Sequence, residues 1–335
     1  MGLIKNMLYS QARLLRNMEL SDQAIFPYYH TVSNDDLPHV KHIYPIKDEK
    51  QFIADLEYLA RKYKILYPSV FMECLLNGKP LPERSFLLTF DDGMSEVYHV
   101  IYPILKSKGI PAVFFLNNSF IDNKNLFYRH QISLIVNHLL NEKTELSALQ
   151  KAAELLKTAF DGTDKLISEI RKVEFPFHGV LEQVNELLGL SSEDFLETTR
   201  PYLSSAQVVE MKNEGFYFGG HTVNHFPLRK LSPEEQKKEI IDSVKWVKDH
   251  FDIPYSLFAF PFSDKGIRLS LFESLYEEFP GLVLMGNSGI RKDTAPRMVQ
   301  RFSLEDPNYS AEDTIPVALA HAQVNKLIFR NKIRR

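Results

Sequence analysis

The chain carries one cysteine, Cys74, among 335 residues. A lone thiol excludes an intrachain disulfide and a cysteine-based zinc cluster, and it fits a reducing compartment. No apolar run comes near the roughly 18 residues of a membrane-spanning helix. Neither charge is in large excess: 40 Lys and Arg face 43 Asp and Glu, a formal net charge of −3. That balance gives no general argument for nucleic-acid binding. No internal repeat or low-complexity segment is visible. The opening stretch MGLIKNMLYSQARLLRNMEL lacks the continuous apolar core and cleavage site of a secretory signal. Asn6 stands where a myristoylation signal carries Ser or Thr.

What is present is a globular composition, 44% hydrophobic and 25% charged. The length suits one large domain or two ordinary ones. Eleven histidines leave imidazole and carboxylate as the available metal ligands. Leu3, Ile4, Met7, Leu8, Leu15 and Met18 share one helical stripe, so an amphipathic helix is predicted over 1–22. The C-terminal NKLIFRNKIRR is basic as well. Two basic ends suit peripheral contact with an anionic membrane, although a helix packed on its own core and a solvated tail is the commoner arrangement.

Strands are predicted at 24–30, 85–90, 111–116, 216–220, 255–262, 281–286 and 298–304. Helices are predicted at 51–63 and 95–108, the second closed by Gly109. A capping box at Ser232 to Glu235, with Pro233 at the first helical position, opens another that runs to about Phe251. Strand–helix–strand order implies parallel pairing with helical crossovers. Residues 120–205 hold only helical patterns and read as an insertion. His30, Asp91, Asp92 and His221 all fall just past strand ends, where active sites of parallel α/β folds gather.

Two stretches carry the chemistry. TFDDG (89–93) puts adjacent carboxylates at the end of a buried strand, where they repel unless a cation compensates. HTVNH (221–225) puts two histidines four residues apart, which on a helical turn share one face and one metal. Each is weak alone. An aspartate after a strand is often a cap or turn residue, and spaced histidines occur by chance. Together they describe two imidazoles and one carboxylate around an open metal site, with the second carboxylate free to act as general base.

TFDDG and HTVNH resemble the first two motifs of the polysaccharide deacetylase (NodB-homology) family, carbohydrate esterase family four. FAFPFSDKG (258–266) is similar to its third motif. The resemblance spans about 25–305 apart from the insertion. It implies a deformed (β/α)7 barrel over 23–310, a helical insertion at about 120–205 covering part of the cleft, and a C-terminal helix and basic tail over 311–335. It also implies a hydrolase that removes acetyl groups from N-acetylated carbohydrate with metal-activated water. The substrate would be a polysaccharide, an oligosaccharide or a lipid-linked precursor; the lack of a recognisable secretory signal points to the cytoplasm or the inner membrane face, or to export by another route.

By that resemblance Asp91 is the base, and Asp92, His221 and His225 hold one divalent metal. Zinc is the default, and nickel, cobalt and iron also suit the ligands. Thr222 orients the histidine loop, and the Phe262 N–H serves the oxyanion. The acid that protonates the leaving amine is a late Leu-x-His histidine in the common pattern, which here leaves only His321. PYYHTVS (27–33) resembles the N-terminal Tyr-His motif of permuted poly-N-acetylglucosamine deacetylases. His30 is favoured because it ends a predicted strand. The third motif lacks its usual arginine, and Arg129 or Arg301 can supply that charge from elsewhere. Two other readings stay open: a deacylase or amidohydrolase on a small amide, and a weakly catalytic carbohydrate-binding protein.

Overall fold

The computed structural model describes Tyr9, Ala12–Leu15 and residues 22–335. Most of the predicted 1–22 helix lies outside the described residues. Of it, Ala12–Leu15 is helical and packs on the helix Ala311–Leu327.

Eight strands form one all-parallel sheet. They are β1 (Pro27–Tyr29), β2 (Leu88–Phe90), β3 (Ala112–Leu116), β4 (Tyr217–Gly220), β5 (Ser256–Ala259), β6 (Leu282–Gly286), β7 (Met298–Gln300) and β8 (Phe302–Ser303). Their order is β7-β6-β5-β4-β3-β2-β1-β8. The two edge strands are one run of chain interrupted at Arg301. Its first half pairs with β6, Met298 opposite Leu284, and its second half pairs with β1, Phe302 opposite Pro27. The run therefore joins both edges and closes the sheet into a barrel of seven chain segments. Closure removes the open edges that a parallel sheet would otherwise expose.

Side chains alternate across the barrel wall. Leu87, Val113, Phe115, Leu257, Ala259, Val283 and Met285 form one buried cluster within it. Phe90, Phe114, Leu116 and Phe218 pack outward onto the helices. This period of two explains why the strands read as continuous apolar runs: both faces are covered.

Between β3 and β4 the chain builds a string of helices, from Tyr128–Asn141 to Ser205–Asn213. Those from Tyr128 to Thr199 share a separate apolar core with Leu37, Val40 and Met94.

Three local expectations differ from the structure. The 85–90 strand breaks at Leu87, and Ser85–Phe86 pairs outside the barrel with Lys64–Ile65. The 95–108 helix opens as a π-turn over Val97–Ile101 before the α-helix Tyr102–Lys108. Pro103 has no N–H to give the carbonyl four residues back, so a regular ladder cannot run through it. The basic tail is not simply solvated. Arg335 is drawn in, its side chain 2% exposed, where it bonds Asp293 Oδ2 at 2.6 Å and pairs with Asp264. Two buried carboxylates sharing one site need a cation, and Arg335 provides it. Among the described residues, no helix is long and apolar enough to cross a membrane.

Candidate active site

Leu87, Thr89 and Asp91 follow the inward half of the alternation, so Asp91 enters the barrel mouth directly. Asp92 would point outward on a continued strand. Instead it adopts φ +71°, and Gly93 follows at +66°. The left-handed step turns the second carboxylate back toward the first. Both end up buried. Aspartate tolerates this backbone region better than most residues, and glycine tolerates it freely.

His221 ends β4. Its Nδ1–H donates to the Ala259 carbonyl at 2.8 Å, which leaves Nε2 as the free lone pair. His225 reaches the same place, but not on a helix. Thr222 and His225 both have positive φ, +68° and +55°. The Thr222 hydroxyl donates to the His221 carbonyl at 2.5 Å and accepts the His225 N–H at 3.0 Å. Asn117, just past β3, donates its amide to the carbonyls of His221 and Thr222. Glu239 accepts the N–H groups of Val223 and Asn224 at 2.9 and 3.0 Å. The helical reading of the spacing is thus corrected. A knotted loop, held by hydrogen bonds from three sides, replaces the helical turn because the chain must bend away from the strand end.

One ligand atom each from Asp92, His221 and His225 lies within 4.8 Å of the others. Asp92 Oδ1 stands 3.1 Å from His225 Nε2 and 3.5 Å from His221 Nε2. Asp92 Oδ1 and both His225 ring nitrogens are buried and have no hydrogen-bond partner among the described residues. Orphaned buried polar atoms are costly, so their convergence fits a cation-binding donor set.

Asp91 borders that cluster, its Oδ2 3.9 Å from His221 Nε2, but its own partner is an arginine. Arg301 grips it bidentately, Nη1 to Oδ1 at 2.6 Å and Nη2 to Oδ2 at 2.9 Å. Arg301 is fully buried, also donates to Thr89 Oγ1 and the Gly286 carbonyl, and stands between the rings of Tyr28 and Phe115. Burial alone would raise the Asp91 carboxyl; Arg301, helped by His221, outweighs it and holds the group below the usual carboxylate range. Asp92 is likewise held low against burial by His225, His30 and His221. Burial pushes His221 down to about 4, which favours the neutral, ligating form.

His30 ends β1 and stands on the other side of the cluster, its Nε2 4.0 Å from Asp92 Oδ2. Glu305 accepts from both its Nδ1, at 2.7 Å, and its backbone N–H, at 3.1 Å. Burial disfavours the imidazolium, but Glu305 with Asp92 and Asp91 more than reverses this and raises its pKa to about 10. His321 lies in the middle of the outer helix Ala311–Leu327, where Asn325 is its neighbour.

Phe262 sits in the loop after β5 with φ +52°, and its N–H finds no partner among the described residues. Its ring packs on His225, with centroids 4.6 Å apart. Arg129 does not reach Asp91. Its guanidinium lies over the Phe262 ring at 5.7 Å, and of the two candidate arginines it is Arg301 that pairs with Asp91. From the inserted helices Phe127 also makes a T-shaped contact with His225, its centroid 4.6 Å away, and its N–H donates to Tyr202 Oη. Glu305 was not singled out from sequence. The signal was there, an acid two residues past the last strand, the position that drew attention to the others.

A parallel barrel with paired carboxylates and two histidines at the C-terminal strand ends gathers acid–base groups and a donor set that could hold a cation in one mouth. The chain belongs to the polysaccharide deacetylase family, which it matches over residues 78–270. It is 20% identical over 234 residues to YxkH of Bacillus subtilis (strain 168), named as a polysaccharide deacetylase, a match that takes in 70% of this chain and 54% of that protein. The chain thus spans about half the length of that relative. A 45-residue stretch, 13% of this chain and 7% of the relative, is 47% identical to the poly-β-1,6-N-acetyl-D-glucosamine N-deacetylase of Escherichia coli (strain K12). The solved structure of the Streptococcus pyogenes deacetylase PplD in complex with acetate superposes with a TM-score of 0.56 at 17% identity. It covers 89% of this chain and 99% of that one, and establishes the shared fold.

Proposed function

We propose that this protein hydrolyses N-acetyl groups on carbohydrate. The observation that carries the proposal is the division of labour between the two adjacent carboxylates: Asp91 locked on Arg301, Asp92 turned to His221 Nε2 and to a His225 ring whose nitrogens have no hydrogen-bond partner among the described residues. Family membership and the name of the Escherichia coli relative support the substrate class.

Asp92, His221 and His225 would hold a divalent cation, with zinc the default for this donor set. Such a cation supplies an electrophile for the acetamide carbonyl and acidifies water. Asp91, kept ionised by Arg301, accepts the proton of the attacking water. The Phe262 N–H donates to the oxygen that becomes negative as the carbonyl carbon turns tetrahedral. His30, kept protonated by Glu305, hands its proton to the departing amine nitrogen. The C–N bond then breaks, and the products are acetate and a free amino sugar.

Metal content tests the site. Purified wild type is expected to carry about one equivalent of divalent metal, as a three-ligand site should. Asp92→Ala, His221→Ala and His225→Ala are each expected to lose it. Full metal retention in all three variants would refute the assignment. The acid is tested separately. His30→Ala is expected to lower kcat by about 10²–10⁴-fold with metal retained. His321→Ala is expected to leave kcat nearly unchanged, and the reverse pattern would move the acid role to His321.

A further inference from the structure

Next to the cluster lies a cavity of about 430 Å³ that shares the wall formed by Phe262. That ring also packs against His225 in a T-shaped contact, so whatever fills the cavity lies one aromatic ring from the proposed metal ligands. The cations in its walls come from three separate parts of the chain. Arg129 opens the inserted helices, Arg171 follows the helix Thr163–Ile170, and Arg229 and Lys230 form the short turn after the histidine loop. Four cations face one carboxylate, Glu174, and Lys230 already pairs with it. Among the described residues, no carboxylate lies within 4.0 Å of Arg129, Arg171 or Arg229. The chain as a whole is acidic, with a net charge of −3, so this concentration of positive charge is local. Like charges around one concavity repel, and the arrangement is relieved when an anion enters.

We propose that this cavity binds a phosphoryl group carried by the substrate, so that the preferred substrate is an N-acetyl sugar bearing a phosphate or pyrophosphate near the acetamide. The inference rests on the deacetylase reading. Guanidinium groups present planar forks that match phosphate oxygens, and three of them around one cavity suit a dianion better than a neutral sugar. The same contacts would draw a phosphorylated substrate to the mouth of the site and hold its acetamide against the Phe262 loop.

Inorganic pyrophosphate is titrated calorimetrically into the metal-loaded protein and into the variant Arg171→Gln/Arg229→Gln. Both arginines are exposed, and melting temperature and metal content establish that the variant is folded. Wild-type binding is expected to weaken by about tenfold or more in the variant, as the loss of charge-assisted hydrogen bonds requires. Equal affinity in the two proteins, or binding to neither, overturns the proposal. Acetate release is then compared for N-acetylglucosamine 1-phosphate and N-acetylglucosamine. The wild type is expected to favour the phosphorylated sugar in kcat/KM, and the variant to lose that preference. Equal turnover of both sugars by both proteins removes the phosphoryl site and leaves the deacetylase reading intact. Pyrophosphate binding at the arginines with no acetate released from either sugar does the reverse. Co-sedimentation with phosphatidylglycerol vesicles, lost in the variant, would assign the phosphoryl group to a lipid surface and overturn a substrate-borne one.

Discussion

Arg301→Met is expected to destabilise the protein by about 3–5 kcal/mol, the range for breaking one side of a buried ion pair. Arg301 is inaccessible to solvent, and its two bonds to Asp91 are 2.6 and 2.9 Å long. Methionine fills much of the volume between Tyr28 and Phe115 but leaves the Asp91 charge buried without its guanidinium. The desolvation that Arg301 now outweighs would then push the Asp91 carboxyl up. The double variant Asp91→Asn/Arg301→Met removes both charges and is expected to recover most of the loss, because neither partner is left uncompensated. Denaturant unfolding of the three proteins measures this. An Arg301→Met protein as stable as wild type would mean that the pair contributes nothing to the fold.

Turnover should respond even more sharply to Asp91→Asn, with kcat reduced by about 10²–10⁴-fold, the usual contribution of a positioned general base. The amide keeps the shape of the carboxyl group but cannot take a proton from water. The three proposed ligand side chains are untouched, so metal content is expected to stay at the wild-type level. Acetate release and metal analysis on the same preparation make the comparison. Activity close to wild type would exclude Asp91 as the base, whereas loss of metal would mean that the two aspartates share the cation.

The Asp91–Asp92 pair illustrates how far local reading reaches. That a strand ends there is written in the apolar run before it, and that two carboxylates need compensation follows from electrostatics alone. Which carboxylate takes which partner depends on the positive φ of Asp92, a backbone choice that no spacing rule reports. HTVNH shows the converse. Its histidines do converge, yet through a loop stapled by Thr222, Asn117 and Glu239 rather than through a helical turn. The residue types were sufficient to suggest ligands, while the reason they meet is tertiary.

The alternation of strands and helices, the strand-end position of the polar residues and the chemistry of DDG with HTVNH belong to the sequence itself, because periodicity and residue type act over a few neighbours. Barrel closure through Arg301, the Arg301–Asp91 pair across 210 residues and the Glu305–His30 pair across 275 were decided only by the folded chain. Contacts at such separations leave no local pattern. They exist because closing a parallel barrel brings its first and last strands side by side, and the low dielectric of the interior then makes each buried charge take the partner that closure puts within reach.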